Sequence, residues 1–374
     1  MCKSHQAAFR GDHVGSYLRP AAIVEAREKF EAGKISYEEL RAVEDKAIIE
    51  LIDRQVKAGL KIVTDGEFRR SWWHLDFFWG FQNVEKVVKH GVVVKAEDEL
   101  VRAEGAILTG KISGENHPVV EDFKFLLSHT PEGILAKQTL PAPAQFLLEL
   151  EVYNNPAIAL GHYDSNREEL LDDVVKTYKQ IISDLYAAGA RIIQFDDCSW
   201  ISLLGPLPEN PEDFAKHQAR KEEFVALNNR VLSDLPEDLQ VNTHVCRGNY
   251  KSKAFGTGGY EGIANPLFDK ENVTAYYLEY DSEKAGSFEP LKELSDGKYV
   301  VLGLITSKTG ELESKEAVIE RIREASKYVP LENLALGTQC GFSSTEEGNI
   351  LTEEDQWKKI ALIQEIVEEV WGDK

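Results

Sequence analysis

Residues 168–197, EELLDDVVKTYKQIISDLYAAGARIIQFDD, decide the fold class of this chain. Apolar residues recur every three or four positions through most of this stretch, which is the period of an amphipathic helix. Gly189 ends that helix, and RIIQFDD at 191–197 follows as a short, largely apolar strand that ends in two aspartates. A helix leading directly into such a strand is typical of a parallel sheet covered by helices.

Eight short runs of this kind alternate with helical segments along the chain. They lie at 12–16, 61–66, 133–140, 191–197, 239–245, 273–280, 298–305 and 333–340. Eight strand–helix units predict an α/β protein built as a (β/α)8 TIM barrel. A doubly wound open sheet is the competing interpretation, but no strand is followed by the Gly-x-Gly-x-x-Gly turn of dinucleotide-binding sheets or by a phosphate loop.

Two stretches interrupt the alternation. Residues 81–131 contain the alternating runs VEKVVKHGVVVKAE and AILTGKIS, which predict a β-hairpin insertion after the second strand. Residues 247–266 contain GTGGYEG, which favours an ordinary mobile loop and has a lid over the barrel mouth as its alternative. Because we find no internal repeat or linker, we expect residues 1–374 to form a single catalytic barrel domain.

The composition excludes several classes of function. The chain has 374 residues with 43 Lys and Arg against 64 Asp and Glu, a formal net charge of −21. Such a charge repels phosphate backbones and anionic lipid, so we expect neither nucleic acid nor membrane as a partner. No apolar run has the length of a membrane span, and the first ten residues lack the apolar core of a secretory signal. We therefore expect a cytoplasmic protein.

Polar side chains stand at nearly every predicted strand end, which is where a parallel barrel collects its chemistry. The strand-end set is Ser16, Asp65, Glu67, Lys137, Thr139, Asp196, Asp197, Cys198, His244, Cys246, Glu279, Thr306, Ser307, Lys308 and Cys340. A purely structural sheet does not need charged groups and thiols in these places. The clustering predicts an active site at this end of the barrel.

Four of these residues form a candidate metal site. His244 and Cys246 share one face of an extended segment because they are two residues apart. On its own, such a pair more often reflects a buried thiol beside a hydrogen-bonded histidine. Glu279 and Cys340 end two other strands and add a carboxylate and a second thiol, which completes a tetrahedral ligand set for Zn²⁺. Ligands drawn from three strands are expected of a metal held over an active site.

The remaining strand-end groups have more than one interpretation. Four cysteines are too few for a disulfide framework in a chain of this length. We expect Cys198 to pack beneath the barrel rim, with a position pointing into the site as the alternative, and Cys2 to lie outside the site. Asp196 and Glu67 suit general acid–base chemistry, but they equally suit binding of a substrate ammonium or pairing with a nearby arginine, Arg69 or Arg70. Four tryptophans in the strand-end loops can stack on a planar ligand, although such residues more often pack: Trp72, Trp73, Trp79 and Trp200.

Six motifs carry a resemblance to a known family: HVGSYLRP (13–20), VTDGEFRR (63–70), QFDDCSW (194–200), THVCRGNY (243–250), YYLEYD (276–281) and LGTQCGF (336–342). Through them the chain resembles the catalytic C-terminal barrel of cobalamin-independent methionine synthase, and more closely the short single-barrel relatives of that enzyme. The resemblance runs from about residue 10 to residue 370 and is poor over 81–131.

The resemblance implies zinc-dependent transfer of a methyl group to the thiol of homocysteine, forming methionine. It implies Zn²⁺ ligands at His244, Cys246, Glu279 and Cys340. It also implies that the amino-acid part of homocysteine is held by the pocket Ser16, Glu67 and Asp196. A free thiol is mostly protonated at neutral pH, and coordination to zinc removes its proton. The predicted catalytic residues are His244, Cys246, Cys340 and Asp196.

The methyl donor is less well defined. The resemblance implies a methylated folate such as 5-methyltetrahydrofolate, with another small methylated molecule as the alternative. The chain departs from the family at Thr306, where the synthase has a histidine that assists proton transfer to the leaving group, and in LPAPAQF at 140–146. It also has no room for a second barrel, and its acidity suits a polyglutamate tail poorly. Lys308, Trp72 and Trp73 are candidates on the donor side.

Two other functions remain open from the residues. One is a zinc hydrolase with a metal-bound water and Asp196 or Glu67 as the base, although two thiolates weaken the metal as a Lewis acid; a decarboxylase on the same barrel would not need the zinc set. The other is a non-catalytic sensor or carrier of homocysteine that has lost the donor half of the site. The residues also leave open whether the chain forms a homodimer.

Overall fold

The computed structural model describes residues 10–88, 95–153, 160–163 and 166–372. Eight parallel strands form one sheet, and we number all strands along the chain. The eight are β1 (Gly11–Asp12), β2 (Ile62–Val63), β7 (Leu135–Pro141), β8 (Ile192–Asp197), β9 (Gln240–Val245), β10 (Ala275–Glu279), β11 (Tyr299–Ile305) and β12 (Leu334–Thr338). They lie in the order β1-β12-β11-β10-β9-β8-β7-β2. The eight predicted runs are confirmed.

The sheet curls until its two end strands meet. The backbone N–H of Tyr17, after β1, donates to the Gly66 carbonyl after β2 at 3.1 Å, and the Thr64 hydroxyl donates to the Gly15 carbonyl at 2.6 Å. The nearly closed sheet confirms the predicted TIM barrel and excludes the doubly wound open sheet, whose end strands lie far apart.

Helices cover the outside of the barrel. They are α1 (Ala21–Glu31), α2 (Tyr37–Lys57), α3 (Leu75–Phe78), α4 (Pro118–His129), α5 (Pro143–Leu148), α6 (Arg167–Ala187), α7 (Pro211–Leu232), α8 (Ala264–Lys270), α9 (Lys315–Ala325) and α10 (Glu353–Trp371). Ser36 begins α2 with a capping box, in which its hydroxyl accepts from the Glu39 N–H and the Glu39 carboxylate accepts from the Ser36 N–H. No helix in the described part of the chain is both long and apolar enough to cross a membrane.

The segment between β2 and β7 contains a second, smaller set of strands. Strands β3 (Gln82–Val88) and β6 (Glu104–Ser113) pair antiparallel, and the short strands β4 (Lys95–Ala96) and β5 (Glu99–Leu100) pair between them. The helix α4 follows, so the insertion is not built of strands alone. Residues 89–94, within the predicted hairpin, lie outside the described residues, as does Cys2.

The glycine-rich segment 247–266 is anchored rather than free. The Arg247 guanidinium donates twice to the Gly258 carbonyl, at 3.0 and 2.8 Å, and the Gly205 N–H donates to the Gly259 carbonyl at 2.8 Å. Tyr260 in its centre is completely buried. The segment therefore differs from the expected ordinary mobile loop.

A buried ion pair crosses the barrel interior. The Lys137 ammonium on β7 lies 2.9 Å from an Asp12 carboxylate oxygen on β1, and both side chains are completely buried. Lys137 also donates to the His13 carbonyl at 2.6 Å, and the Tyr277 hydroxyl donates to the same Asp12 oxygen at 2.5 Å. Burial lowers the pKa of Lys137, while Asp12 opposes that shift.

We expect Lys137→Met to destabilise the fold by about 3–5 kcal/mol, because it leaves the Asp12 carboxylate buried without its cation. The double variant Lys137→Met with Asp12→Asn keeps an acceptor for Tyr277 without the charge, so it should recover much of that loss. Denaturant unfolding midpoints of the two variants measure the difference. A single variant that is as stable as the double would contradict the prediction.

Candidate active site

The strand ends place four potential metal ligands around one point. One ligand atom each from His244, Cys246, Glu279 and Cys340 lies within 4.8 Å of the others, and all four residues are buried. His244 and Cys246 come from the end of β9, Glu279 ends β10 and Cys340 follows β12. The structure thus brings together the four residues that the sequence predicts as metal ligands.

The contacts of the cluster suit a tetrahedral metal. The sulfur atoms of Cys246 and Cys340 are 3.7 Å apart, much farther than a disulfide bond allows. Two sulfur ligands at 2.3 Å from one ion lie roughly 3.8 Å apart at the tetrahedral angle. The Nδ1–H of His244 donates to the Tyr277 carbonyl at 3.2 Å, and its Nε2 is buried without a hydrogen-bond partner. One ring nitrogen is thus oriented by the backbone and the other is left for a ligand.

The raised pKa values of the two buried thiols indicate that the cluster needs a cation to hold them as thiolates. Contact with the Cys198 thiol, followed by burial, raises the pKa of Cys246 well above its usual range. The neighbouring Cys246, followed by burial, does the same to the pKa of Cys340. Without a counter-charge both buried thiols stay protonated, whereas a bound divalent cation would stabilise two thiolates. The donor set, its spacing and its charge therefore fit a metal such as Zn²⁺.

Arg247 fixes the position of Glu279. Its backbone N–H donates to Glu279 Oε1 at 2.8 Å, and its guanidinium donates to the Glu279 carbonyl at 2.7 Å. The same guanidinium binds the Gly258 carbonyl, so the glycine-rich segment is tied to a cluster residue. The Oε1 atom of Glu279 is therefore already hydrogen-bonded to the protein within the cluster.

The cluster adjoins a small pocket of about 330 Å³, a volume that includes the part open to solvent. Six of the predicted site residues line it: Ser16, Glu67, Asp196, His244, Cys246 and Cys340. The chain reaches this arrangement by leaving the sheet early after β1 and β2, which are only two residues long. Gly66 and Glu67 both have positive φ, 69° and 59°, a tight turn that brings the Glu67 carboxylate inward.

The two carboxylates of the cavity are held differently. Glu67 Oε1 accepts from the Thr139 hydroxyl at 2.9 Å and lies 3.5 Å from Arg70, while its Oε2 is buried without a hydrogen-bond partner. Asp196 Oδ1 accepts from the Gln194 amide at 2.8 Å. Burial raises the pKa of Asp196 well above its usual range, and the Glu67 charge raises that pKa further. This pair suits a ligand that brings a positive charge.

The Ser16 side of the cavity depends on a glycine. The Ser16 hydroxyl accepts from the Ser343 N–H at 3.3 Å, and a Cβ on Gly341 would lie 2.0 Å from that hydroxyl oxygen. Any side chain at 341 would therefore displace Ser16. This close approach is the physical reason for the Cys-Gly pair in LGTQCGF.

A second, larger cavity of about 630 Å³ adjoins the first. Trp73, Cys198 and Asn249 line both cavities and form the partition between them. The outer cavity is walled by aromatic and charged groups: Trp72, His74, Arg102, Glu104, Glu149, Tyr250 and Phe255. The two cavities give the site an inner chamber beside the cluster and an outer chamber beyond it.

The structure corrects several sequence interpretations. Cys198, expected to pack beneath the rim, lies in the wall of both chambers. Trp200 is a packing residue, with its indole N–H donating to Asp197 at 3.0 Å. Arg69 pairs with α2 and α4 acids rather than with Glu67 or Asp196. Among the described residues, neither Thr306 nor Lys308 lines either chamber.

Sequence reasoning did not single out Asn249, His74 or Glu149. Asn249 lies in the same THVCRGNY motif as two cluster residues, so its position three residues after Cys246 was a usable signal. Its Nδ2 donates to the Gly341 carbonyl at 2.9 Å, while its Oδ1 is buried without a hydrogen-bond partner. His74 lies in the loop after β2 and Glu149 directly follows the helix α5, and no spacing relates them.

Comparison with known proteins identifies the family of this chain. The family described as "Cobalamin-independent synthase, Catalytic domain" matches residues 9–355. The chain is 39% identical over 383 residues to the uncharacterized protein YxjH of Bacillus subtilis (strain 168), covering 99% of this chain and 96% of YxjH. It is 26% identical over 333 residues to a methionine synthase of Saccharolobus solfataricus, covering 88% and 86%.

A solved structure extends the comparison to three dimensions. The crystal structure of a candidate vitamin-B12-independent methionine synthase from Listeria monocytogenes has a TM-score of 0.74 and 34% identity, covering 97% of this chain and 98% of that one. The family match spans nearly all of the barrel and includes each of the four cluster residues. The chain therefore belongs to the cobalamin-independent methionine synthase family, through the catalytic domain of that family.

Proposed function

We propose that this protein transfers a methyl group to the thiol of homocysteine, forming methionine, with Zn²⁺ bound by His244, Cys246, Glu279 and Cys340. One observation carries the proposal: the ligand cluster opens into the same 330 Å³ cavity as two buried carboxylates and the Ser16 loop. A thiol amino acid can therefore present its sulfur to the cluster and its ammonium to the carboxylates at once.

The acceptor is held by groups with complementary charge. Glu67 and Asp196 bind the ammonium, since Glu67 Oε2 has no other hydrogen-bond partner. The backbone around Ser16 binds the substrate carboxylate. A thiol without the amino-acid group leaves these buried polar groups unpaired, which gives selectivity for an α-amino thiol. Asp196, with the two cysteines and His244, makes up the catalytic set.

Zinc in the cluster would supply a deprotonated but still nucleophilic substrate sulfur. The chain itself prepares the ligands: Tyr277 orients His244, the Gly248 N–H donates to the Cys246 sulfur at 3.1 Å, and Arg247 holds Glu279. A zinc hydrolase is a poorer explanation of the site. Two thiolate ligands would reduce the Lewis acidity of the metal and with it the activation of a bound water.

The outer chamber is the place for the methyl donor, because only the partition of Trp73, Cys198 and Asn249 separates it from the inner chamber. The family expectation of a methylated folate such as 5-methyltetrahydrofolate suits its aromatic wall. The free thiols at positions 198, 246 and 340 suit a reducing compartment, and we place the protein in the cytoplasm. A homodimer is the oligomeric form to test by sedimentation.

Metal analysis with X-ray absorption tests the proposal. We expect about one zinc per chain, with the number of sulfur ligands rising from two to three when homocysteine is added. Homoserine, which has the same amino-acid part but no thiol, should add no sulfur. A protein purified anaerobically without tightly held zinc would overturn the proposal. Zinc and homocysteine binding without turnover across a panel of methyl donors would favour a non-catalytic carrier instead.

A further inference from the structure

The insertion and the glycine-rich segment meet beside the outer chamber through opposite charges. The Lys251 ammonium lies 2.8 Å from a Glu99 carboxylate oxygen. The Lys253 ammonium lies 3.4 Å from Asp98 and 3.5 Å from Glu97. The three acids occupy consecutive positions in the hairpin formed by β4 and β5, and the two lysines belong to one tight turn. Neither the metal cluster nor the inner chamber uses any of these five side chains.

The two lysines stand on a rigid turn, which we call the basic turn (250–253). Two backbone hydrogen bonds between its first and last residues close it, at 2.9 and 2.8 Å. Its middle residues, Lys251 and Ser252, have positive φ values of 48° and 68°, which residues other than glycine keep only where surrounding contacts hold them. The Ser252 hydroxyl makes such contacts, since it donates to the Lys308 carbonyl at 2.7 Å and accepts from the Ile350 N–H at 2.8 Å. The basic turn is therefore the fixed side of the contact.

The acidic side of the contact is held less firmly. We call residues 95–100 the acidic hairpin, and its strands β4 and β5 are only two residues long each. Ala96 is completely buried, whereas four of the six residues are exposed, among them Leu100 at 62%. Because the hairpin buries so little apolar surface, its position depends on its ion pairs, and exposed ion pairs each contribute little to stability. Separation of the hairpin from the basic turn therefore costs far less free energy than unfolding of the barrel.

Both sides of the contact are continuous with the wall of the outer chamber. Tyr250, the first residue of the basic turn, lines this chamber, as do Val101 and Arg102, which directly follow the acidic hairpin. Arg102 is anchored, because its guanidinium lies 2.7 Å from Glu346 and 2.9 Å from Glu347. The hairpin can therefore move with Arg102 as its fixed end, and its movement changes the chamber wall between the two turns.

We propose that the acidic hairpin is a lid of the outer chamber, and that its ion pairs with the basic turn form the latch that keeps this lid shut. The structure has the latch closed. Opening separates opposite charges, so salt, which screens exposed ion pairs, favours the open form. The glycine-rich segment is then the part against which the lid closes, rather than the lid itself. The lid does not depend on the reaction, whereas its effect on the entry of a methyl donor rests on the proposed function.

The decisive experiment measures how fast iodoacetamide alkylates Cys198, whose side chain lines both chambers. Peptide mass mapping distinguishes Cys198 from the other cysteines, so its rate reports access to the outer chamber without any methyl donor. We expect the double variant Lys251→Glu with Lys253→Glu to raise this rate roughly 10-fold, because repulsion replaces attraction across the latch. In the wild-type protein, added salt should raise the rate as well.

Two further variants separate the latch from a general effect of charge. Lys46→Glu with Lys358→Glu makes the same change in net charge at lysines of α2 and α10 that are 80% and 51% exposed and form ion pairs within their own helices. This control should keep the wild-type rate. Glu97→Lys with Glu99→Lys, added to the reversed basic turn, restores opposite charges and should return the rate toward the wild-type value. Hydrogen exchange of the amides at 95–100 should rise and fall in the same order.

The possible outcomes distinguish the lid from the proposed function. Equal alkylation rates of Cys198 in the wild-type, reversed and charge-swapped proteins, with no effect of salt, would overturn the lid and leave the proposed function standing. If the lid is correct, the reversed basic turn should also change KM for the methyl donor, while zinc content and methionine affinity stay at their wild-type values. A wild-type protein without zinc would overturn the proposed function, and the alkylation rates would still decide whether the lid exists.

Discussion

Cys340→Ser is expected to abolish the proposed zinc binding and, with it, the proposed methyl transfer. Serine replaces a soft thiolate with a hydroxyl that stays protonated, so one of two sulfur ligands is lost from a site built around both. The loss of metal affinity should exceed the roughly 10- to 100-fold that removing an outer hydrogen-bond partner of a metal ligand costs. Metal content after dialysis against a weak chelator, followed by turnover with homocysteine, measures the effect.

Cys198→Ser is the matched control for this variant. Cys198 is buried in the wall of the same inner chamber and packs in one cluster with Cys246 and Cys340, but it is not one of the four residues whose ligand atoms converge. Its variant should therefore retain about one zinc per chain. Equal zinc content in the Cys198→Ser and Cys340→Ser proteins would show that the convergent cluster does not hold the metal.

Asp196→Asn is expected to weaken homocysteine and methionine binding by about 2–5 kcal/mol, roughly 30- to 4,000-fold in affinity, because it removes a buried charge that faces the ligand ammonium. Asparagine keeps the shape of the side chain and can still accept from Gln194. The zinc content should not change, because Asp196 is not in the ligand cluster. Calorimetric titration with methionine isolates the ammonium site, since methionine has no thiol.

Proton release provides a second readout of the same pair. Burial and the Glu67 charge raise the pKa of Asp196 well above its usual range, so the empty pair keeps a proton to a higher pH than an ordinary carboxyl group does. An arriving ammonium favours both carboxylates in their ionised form, and binding should release about one proton. Affinity for methionine should therefore rise with pH until the pair is ionised. Titrations in buffers with different ionisation enthalpies measure the release.

Loss of this release in Asp196→Asn would tie it to the pair. A deaminated analogue, 4-(methylthio)butanoate, serves as the control ligand, since it has the carboxylate and thioether but no ammonium. Its weaker binding should be changed little or even improved by Asp196→Asn. Methionine that binds Asp196→Asn with wild-type affinity would show that its ammonium lies elsewhere.

The eight barrel strands could be predicted from the sequence because their burial produces a local pattern of apolar residues. Each strand is covered on both faces, so its sequence is a short run of apolar residues. In each following helix, apolar residues recur every three or four positions. The four candidate metal ligands could be predicted for a related reason. Residues that end parallel strands must emerge at one rim of a barrel, and His, Cys and Glu are uncommon groups to place there without chemistry.

The orientation of neighbouring residues could not be predicted as well. Asp196 and Asp197 are adjacent, yet successive side chains of a strand face opposite sides. Asp196 lines the inner chamber, whereas Asp197 is bound outside the barrel by Ser199, Trp200 and Asn228. The direction of Cys198 could not be predicted because the chain turns after β8, and the direction of a side chain in a turn depends on what it packs against.

The sequence by itself determined the barrel and the residues that converge on the metal cluster, because period and strand-end position are local properties of the chain. Only the tertiary structure decided that the site has two chambers, that Trp73, Cys198 and Asn249 divide them, and that His74 faces Glu149. These contacts join loops that follow different strands. Their distances depend on the closure of the barrel and the packing of the insertion, which no local pattern encodes.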